Sequence, residues 1–520
     1  MSAYSDSRSV KSAKNASVAL LFYALSLLVQ FFSRSVFINY LGADILGLNS
    51  TATSLLQFLN MAEMGLGAAV AFTLYKPIAE NDKHTICEIV SVQGWFYRKI
   101  CYIVVISAII LSFFFPKIFA KTNLPLWYAY STFGVLLFST ILSYLFNYKQ
   151  ILLSAHQLEY KITIAYKLPK IIKDILQIIG ICICPKYGYF IWVILEGIGA
   201  IVCTLSLSRS VRNEFPYIEE IKCNGRLLKS KYTIIIKKVK QLLFHKIGAF
   251  VLFQTAPLVI YAFTTLTTVA IYGNYMLLVT GLSMLLSTIY TGIGAGIGNM
   301  MQSASKQRIL EIFREVYVLR YFLVVSCCFA YAVCVSQITT LWVGKEYLLP
   351  VSSVSLIILI MFLNMMRPPF EVFLQAKGLF GDIWAPIAEA VLNLGLSILF
   401  GSIWGLNGIL VGILVSLMII IAAWKPYYLF SRGLNESILL LIKINIKLFI
   451  LTALPVCLWA IFDFYIETQV TQSETMLLII KIGESLGFTL TIFFVLWSFE
   501  KGMTEFVLRL KNIVKQYFIK

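Results

Sequence analysis

The chain has 520 residues, 59% hydrophobic and 13% charged, with a mean hydropathy of +0.84. That balance excludes an ordinary water-soluble domain, and apolar runs of about twenty residues exclude a transmembrane barrel, whose strands alternate over about ten. A formal net charge of +18 would point a soluble protein toward nucleic acid, but in a polytopic helical membrane protein the positive-inside rule has to be tried first.

Read in order, the sequence predicts an all-α polytopic membrane protein with about fourteen spans. A polar, basic stretch with Arg8, Lys11 and Lys14 precedes the first, and no small-residue cleavage site follows it, so that run reads as a retained helix. The first six spans lie near Ala16 to Tyr40, Ile45 to Tyr75, Ile100 to Phe115, Leu126 to Phe146, Leu168 to Cys184 and Tyr189 to Leu207. The other eight lie near Phe244 to Thr264, Ile271 to Met300, Val318 to Ile338, Val351 to Phe373, Ala385 to Ile403, Gly408 to Tyr428, Ile444 to Ile466 and Met476 to Phe499. The second and eighth are long enough to be kinked or tilted.

Alternating the segments with the amino terminus inside puts about 30 of the 43 lysines and arginines inside, about 4 outside (Lys117, Lys121, Lys186, Lys345) and about 9 within spans. Both termini are therefore expected in the cytoplasm, and topology together with anionic headgroups accounts for the charge without nucleic acid. The densest basic segment falls midway. It divides the chain into a six-helix half over 1–208, a basic linker over 209–240, a second six-helix half over 241–430, and two further helices with a basic tail over 431–520.

The external loops are short, and the three histidines, His84, His156 and His245, are scattered. No constellation for nucleophilic or metal catalysis appears, and the ten cysteines lie mostly within apolar runs as small buried hydrophobes, so neither an enzyme nor a metal cofactor is expected.

The fifth span is the informative one. At 100° per residue, Lys167, Lys170, Lys173, Asp174 and Gln177 fall within roughly 120° of one another, opposite Leu168, Ile171, Ile172, Ile175, Ile178 and Ile179. A charge near the bilayer centre costs about 2.5 to 3.5 kcal/mol on insertion scales, so such a stripe needs a polar cavity or a partner helix. It reads either as one wall of a cationic substrate pathway or, for Lys167 and Lys170, as snorkelling to headgroups and, for Lys173 and Asp174, as mutual neutralisation. Similar polar stripes include Ser26, Gln30, Ser33 and Arg34 on the first span, and Asn49, Thr53, Asn60 and Glu63 on the second. The tenth carries Asn364, Arg367 and Glu371, with Arg367 and Glu371 spaced to pair. Arg34, Lys167, Lys170, Lys173, Gln177 and Arg367 are thus candidate substrate contacts. The in-span carboxylates Glu63, Asp174, Glu196 and Glu389 are candidates for H⁺ or Na⁺ coupling.

Three pieces of the first half recur in the second at offsets of about 217 to 227 residues. Gly65-Leu-Gly-Ala-Ala-Val70 matches Gly292-Ile-Gly-Ala-Gly-Ile297, and Leu153-Ser-Ala-His-Gln-Leu158 matches Leu374-Gln-Ala-Lys-Gly-Leu379. Pro169 with Gly188 matches Pro386 with Gly405. An even number of intervening spans makes this a parallel repeat, in which substrate sites lie between the halves near the midplane.

Tyr40-Leu-Gly-Ala-Asp-Ile-Leu-Gly-Leu48, Leu74-Tyr-Lys-Pro77, Tyr272-Gly-Asn-Tyr275 and Ala385-Pro-Ile-Ala-Glu-Ala390 resemble bacterial polysaccharide repeat-unit flippases of the Wzx type. These belong to the multidrug/oligosaccharidyl-lipid/polysaccharide superfamily, which includes the MATE transporters. The resemblance implies two MATE-like six-helix bundles working by alternating access in the bacterial cytoplasmic (inner) membrane. The implied substrate is an undecaprenyl-pyrophosphate-linked oligosaccharide for O-antigen or capsule, with a polysaccharide polymerase and a chain-length regulator as partners. The two extra spans resemble the arrangement in lipid II flippases. The alternatives are a lipid II-type flippase or a cation-coupled multidrug exporter of the same superfamily, although such exporters should present buried carboxylates where the first span has Arg34.

Overall fold

The computed structural model describes residues 8–518 except 64, 222, 234, 237–238, 240–253, 304, 380, 383 and 470–472. Helices of eight residues or more among them are numbered here in chain order. They begin with α1 Arg8–Leu41, α2 Ala43–Leu59, α3 Leu66–Ala79, α4 Lys83–Ser112, α5 Leu126–Phe146, α6 Glu159–Ile183, α7 Gly188–Glu214 and α8 Ala256–Phe263. They continue with α9 Leu266–Ser303, α10 Lys306–Trp342, α11 Val351–Ala376, α12 Trp384–Leu417, α13 Ile438–Gln469, α14 Glu474–Phe499 and α15 Lys501–Phe518. The described chain contains no strand, as the apolar periodicity requires of a bilayer protein whose backbone must satisfy itself locally.

Among the described residues, ten helical stretches are long and apolar enough to span a membrane. The difference from fourteen has identifiable causes. The stretch Trp384–Leu434 holds the eleventh and twelfth predicted spans, separated by non-helical Trp404 and Gly405. The second predicted span is broken into α2 and α3 by the 3₁₀ turn Asn60–Glu63 and by Gly65, whose φ of +91° favours glycine. The fifth, α6, carries its lysine stripe, which lowers its hydropathy. The start of the seventh, with His245 and Lys246, lies outside the described residues. The eighth, by contrast, is the continuous helix α9.

Several helices outrun their predicted spans. α4 begins at Lys83, where the exposed Asp82 caps it by accepting from the Thr85 N–H at 3.0 Å, an interaction that also holds the Asp82 carboxyl below its usual range. The basic segment after α7 folds onto this extension. Lys231 pairs with Glu88 at 2.5 Å, Tyr232 also donates to Glu88, and a Cβ at Gly225 would lie 2.0 Å from the Ser91 carbonyl oxygen.

The chain divides into two compact units, Met1–Gly273 and Asn274–Lys520. In the first, Leu66, Val70, Leu74, Ile89, Val92 and Leu152 form part of a buried core joining α3, α4 and the helix end before α6. In the second, the two arms of the Trp384–Leu434 hairpin meet backbone to backbone. A Cβ at Gly408 would lie 1.9 Å from the Phe400 carbonyl oxygen, and one at Gly412 would lie 2.4 Å from the Ser397 nitrogen. Such small-residue contacts are how helices gain dispersion energy where lipid offers no hydrophobic drive.

Local geometry repeats where the sequence does. At Leu153–Leu158 the Leu158 N–H bonds the Leu153 carbonyl (2.8 Å) and the Gln157 N–H bonds that of Ser154 (2.9 Å), with Gln157 at φ +61°. At Leu374–Leu379 the Leu379 N–H bonds the Leu374 carbonyl (3.0 Å) and the Gly378 N–H bonds that of Gln375 (2.9 Å), with Gly378 at φ +68°. Both are left-handed helix terminations of the same kind, each preceding a helix that carries the matched proline. Gly188 and Gly405 then stand at the two corresponding helix-to-helix corners. The glycine-rich match is less exact: Gly65 follows a break, whereas 292–297 is helix throughout.

Candidate functional site

α6 sorts its polar stripe by burial. Lys170 is exposed and Lys167 half-buried, while Lys173 is only 8% exposed and Gln177 is buried against α7. Lys173 Nζ lies 2.8 Å from Asp174 Oδ1 and 2.5 Å from Glu196 Oε2. Gln177 Nε2 donates to the same Glu196 oxygen (3.0 Å) and to the Trp192 carbonyl (3.1 Å). Gly199 makes room for this arrangement, since a Cβ there would lie 2.5 Å from Lys173 Cδ. Ile172, Ile175, Leu176 and Ile179 are exposed, as lipid-facing residues should be. The stripe is therefore an α6–α7 ion network at its deeper end and a pair of accessible lysines toward Glu159.

The remaining candidates sit elsewhere. Arg34 on α1 turns to α9, where its Nη1 donates to the Ala270 carbonyl (3.4 Å) and a Cβ at Gly273 would lie 2.8 Å from its Nη2. Arg367 is 3.9 Å from Glu371, as the spacing predicts, but its principal partner is Glu389 on α12, a residue 2% exposed that accepts from Nη2. Glu63, in the turn between α2 and α3, accepts from the Tyr97 hydroxyl (2.7 Å), and the neighbouring Asn60 accepts from Tyr144 (2.9 Å). Of the four carboxylates considered for coupling, Asp174, Glu196 and Glu389 are thus each engaged by a base, and Glu63 by a phenol.

Two features escaped the sequence reading. Lys481 on α14, 2% exposed, reaches Asp463 Oδ1 (2.9 Å) and Glu467 Oε1 (2.6 Å) on α13, and Glu484 lies buried one turn further along α14. The signal was present in the sequence, since Asp463 and Glu467 are four apart and Lys481 and Glu484 three apart within apolar runs. The second feature is a half-open, mostly apolar pocket of about 250 Å³ in the second unit, lined by Tyr317, Tyr321, Phe362, Met366, Phe370 and Asn445 among others. The Tyr317 hydroxyl there donates to Asn445 (2.7 Å). Among the described residues no cluster of three or more histidine, cysteine or carboxylate side chains is arranged to hold a metal ion.

No protein-family model and no curated protein matches the chain. Solved structures do. The chain is similar to the lipid II flippase MurJ in an inward closed conformation, with 17% identity and a TM-score of 0.61, over 92% of this chain and 99% of that one. It is also similar to an inward-facing multidrug resistance MATE family transporter of the MOP superfamily, with 12% identity and a TM-score of 0.59, over 78% of this chain and 95% of that one. At these identities the likeness establishes the fold: an all-α polytopic membrane architecture of the MurJ and MATE type.

Proposed function

We propose that the chain is a flippase that moves a polyprenyl-pyrophosphate-linked oligosaccharide repeat unit across the bacterial cytoplasmic membrane by alternating access, with both termini in the cytoplasm. The observation that carries this reading is the extent of the structural likeness. A match over 92% of the chain cannot be confined to residues 1–430, so it takes in part of the helices that follow the two six-helix halves, and the protein matched is a flippase of a lipid-linked substrate. A match over 78%, as with the MATE transporter, needs no such extension. The motifs at Tyr40–Leu48 and Ala385–Ala390, which resemble Wzx-type repeat-unit flippases, favour a polysaccharide repeat unit within that class.

The chemistry is compatible. A pyrophosphate–sugar headgroup is anionic and hydrophilic, and Lys167, Lys170 and Arg34 supply positive charge while Lys173, Gln177 and Arg367 supply fixed polar groups. An exporter of organic cations is less well served, because Asp174, Glu196 and Glu389 already hold lysine or arginine. Depleting the protein and assaying which lipid-linked intermediate builds up on the cytoplasmic face tests the proposal. Repeat-unit-loaded carrier is the expected product. Accumulation of lipid II instead would move the substrate to cell-wall precursor, and no accumulation of either would overturn the flippase reading.

A further inference from the structure

The α13–α14 hairpin holds a charge cluster that the substrate reading leaves unused. Lys481 contributes one positive charge; Asp463, Glu467 and Glu484 contribute three carboxylates. Glu467, with 47% of its side chain exposed, can be hydrated near the carboxyl end of α13. Glu484 cannot. It is 4% exposed, neither of its oxygens receives a hydrogen bond, and it lies roughly ten residues, or about 15 Å, into α14.

The groups around it explain why no cation reaches it. From α13 it faces Asp463 and, further out, Glu467. On its own helix, Lys481 is committed to those two acids, and the Ser485 hydroxyl donates to the Lys481 carbonyl (2.8 Å). From α10 comes Cys334, whose Sγ is 3.6 Å from Ser485 Oγ. At the hairpin mouth Lys345 pairs with Glu474 (2.7 Å), and α15 packs at the far end of α14. An ionised carboxylate buried beside another, with no donor, costs several kcal/mol, and a single proton removes that cost.

We propose that Glu484 and Asp463 together bind one proton inside the bilayer-spanning hairpin, and that this is the proton that couples transport to the proton gradient. The coupling half of the proposal rests on the transporter reading above; the proton site does not. The step is balanced without another reactant. A proton from bulk water passes Glu467 at the hairpin mouth, converts the Glu484–Asp463 pair from two carboxylates to one carboxylate and one carboxylic acid, and leaves to water. Lys481 is a positioning residue that holds Asp463 in place.

The test uses the full chain in phosphatidylethanolamine–phosphatidylglycerol vesicles treated with dicyclohexylcarbodiimide, which modifies protonated carboxyls in apolar surroundings, followed by peptide mapping. At neutral pH the label is expected on Glu484 or Asp463 at roughly tenfold the level on the ion-paired Glu196 and Glu389, and it should fall as pH rises. Equal labelling of all four, or none on Glu484 and Asp463 at any pH where the protein stays folded, overturns the proton site. Glu484→Gln, which keeps the shape of the protonated acid, should insert, lose the label and transport without response to an imposed pH gradient. If wild type responds to the gradient and the variant responds equally, the coupling role is refuted. A wild type that transports nothing refutes the transporter reading instead, and the labelling result, which needs no variant, still decides the site.

Discussion

Each unit buries one lysine deep in a helix pair, Lys173 between α6 and α7 and Lys481 between α13 and α14, and each ammonium lies within 2.9 Å of two carboxylates. What differs is the polar residue about one turn further along the lysine's own helix. One turn after Lys173 stands Gln177, an amide whose N–H bonds Glu196, so both acids have partners and the cluster is closed. One turn after Lys481 stands Glu484, a third acid with no donor, so that cluster is incomplete without a proton. A donor or an acceptor at a single position separates a static brace from a titratable site.

The largest effect that can test this comparison comes from removing the first lysine. Lys173→Met leaves Asp174 and Glu196 buried without a cation, and breaking a buried pair in this way costs about 3–5 kcal/mol. The expected outcome is poor membrane accumulation and a sharply lowered thermal midpoint in detergent. The triple change Lys173→Met, Asp174→Asn, Glu196→Gln should recover most of the loss. If the single variant is as stable as wild type, the α6–α7 cluster is not the brace described.

Lys481→Met should cost less, about 2 kcal/mol, because Glu467 can be hydrated and the Asp463–Glu484 pair can take up protons in place of the lysine. Protonation of the orphaned acids should shrink both deficits as pH is lowered, and the Lys481→Met deficit, which starts smaller, should vanish at the higher pH. Parallel pH dependence in the two variants would erase the distinction between the clusters.

A smaller effect is expected at Gly199→Ala, where the new methyl would press on the Lys173 stem at 2.5 Å. Overpacking of this size costs about 1 kcal/mol, read as a modest shift in thermal midpoint with the α6–α7 network intact. An unchanged midpoint would mean that the stem is free to move.

The pair of exposed Lys306 with half-buried Glu436, at 2.8 Å, is the baseline. The hydrogen bond from Lys306 holds the Glu436 carboxyl below its usual range. Its stabilisation is therefore present above the ordinary carboxylate range and lost as pH falls through the lowered value. Solvent screens the pair, so Glu436→Gln should shift the thermal midpoint less than any buried change, at any pH at which the protein is folded.

The helical membrane architecture, the match of Leu153–Leu158 to Leu374–Leu379 and the span boundaries at Gly188 and Gly405 were legible in the sequence, because hydropathy and residue repetition are local; that both matched pieces form left-handed helix terminations was not. So was the common face of Lys173 and Gln177, because helical periodicity is local. Partner choice was not. Lys173 answers to Glu196 on the following helix as well as to its neighbour Asp174, and Arg367 is held chiefly by Glu389 on α12 rather than by Glu371 one turn away. The acids Asp463 and Glu467 became partners of Lys481 only once α13 and α14 lay side by side. Spacing along a chain reports which side chains share a face. Which charges meet depends on how closely two helices approach, and that distance is set by the side chains packed between them, as at Gly199 and Gly408.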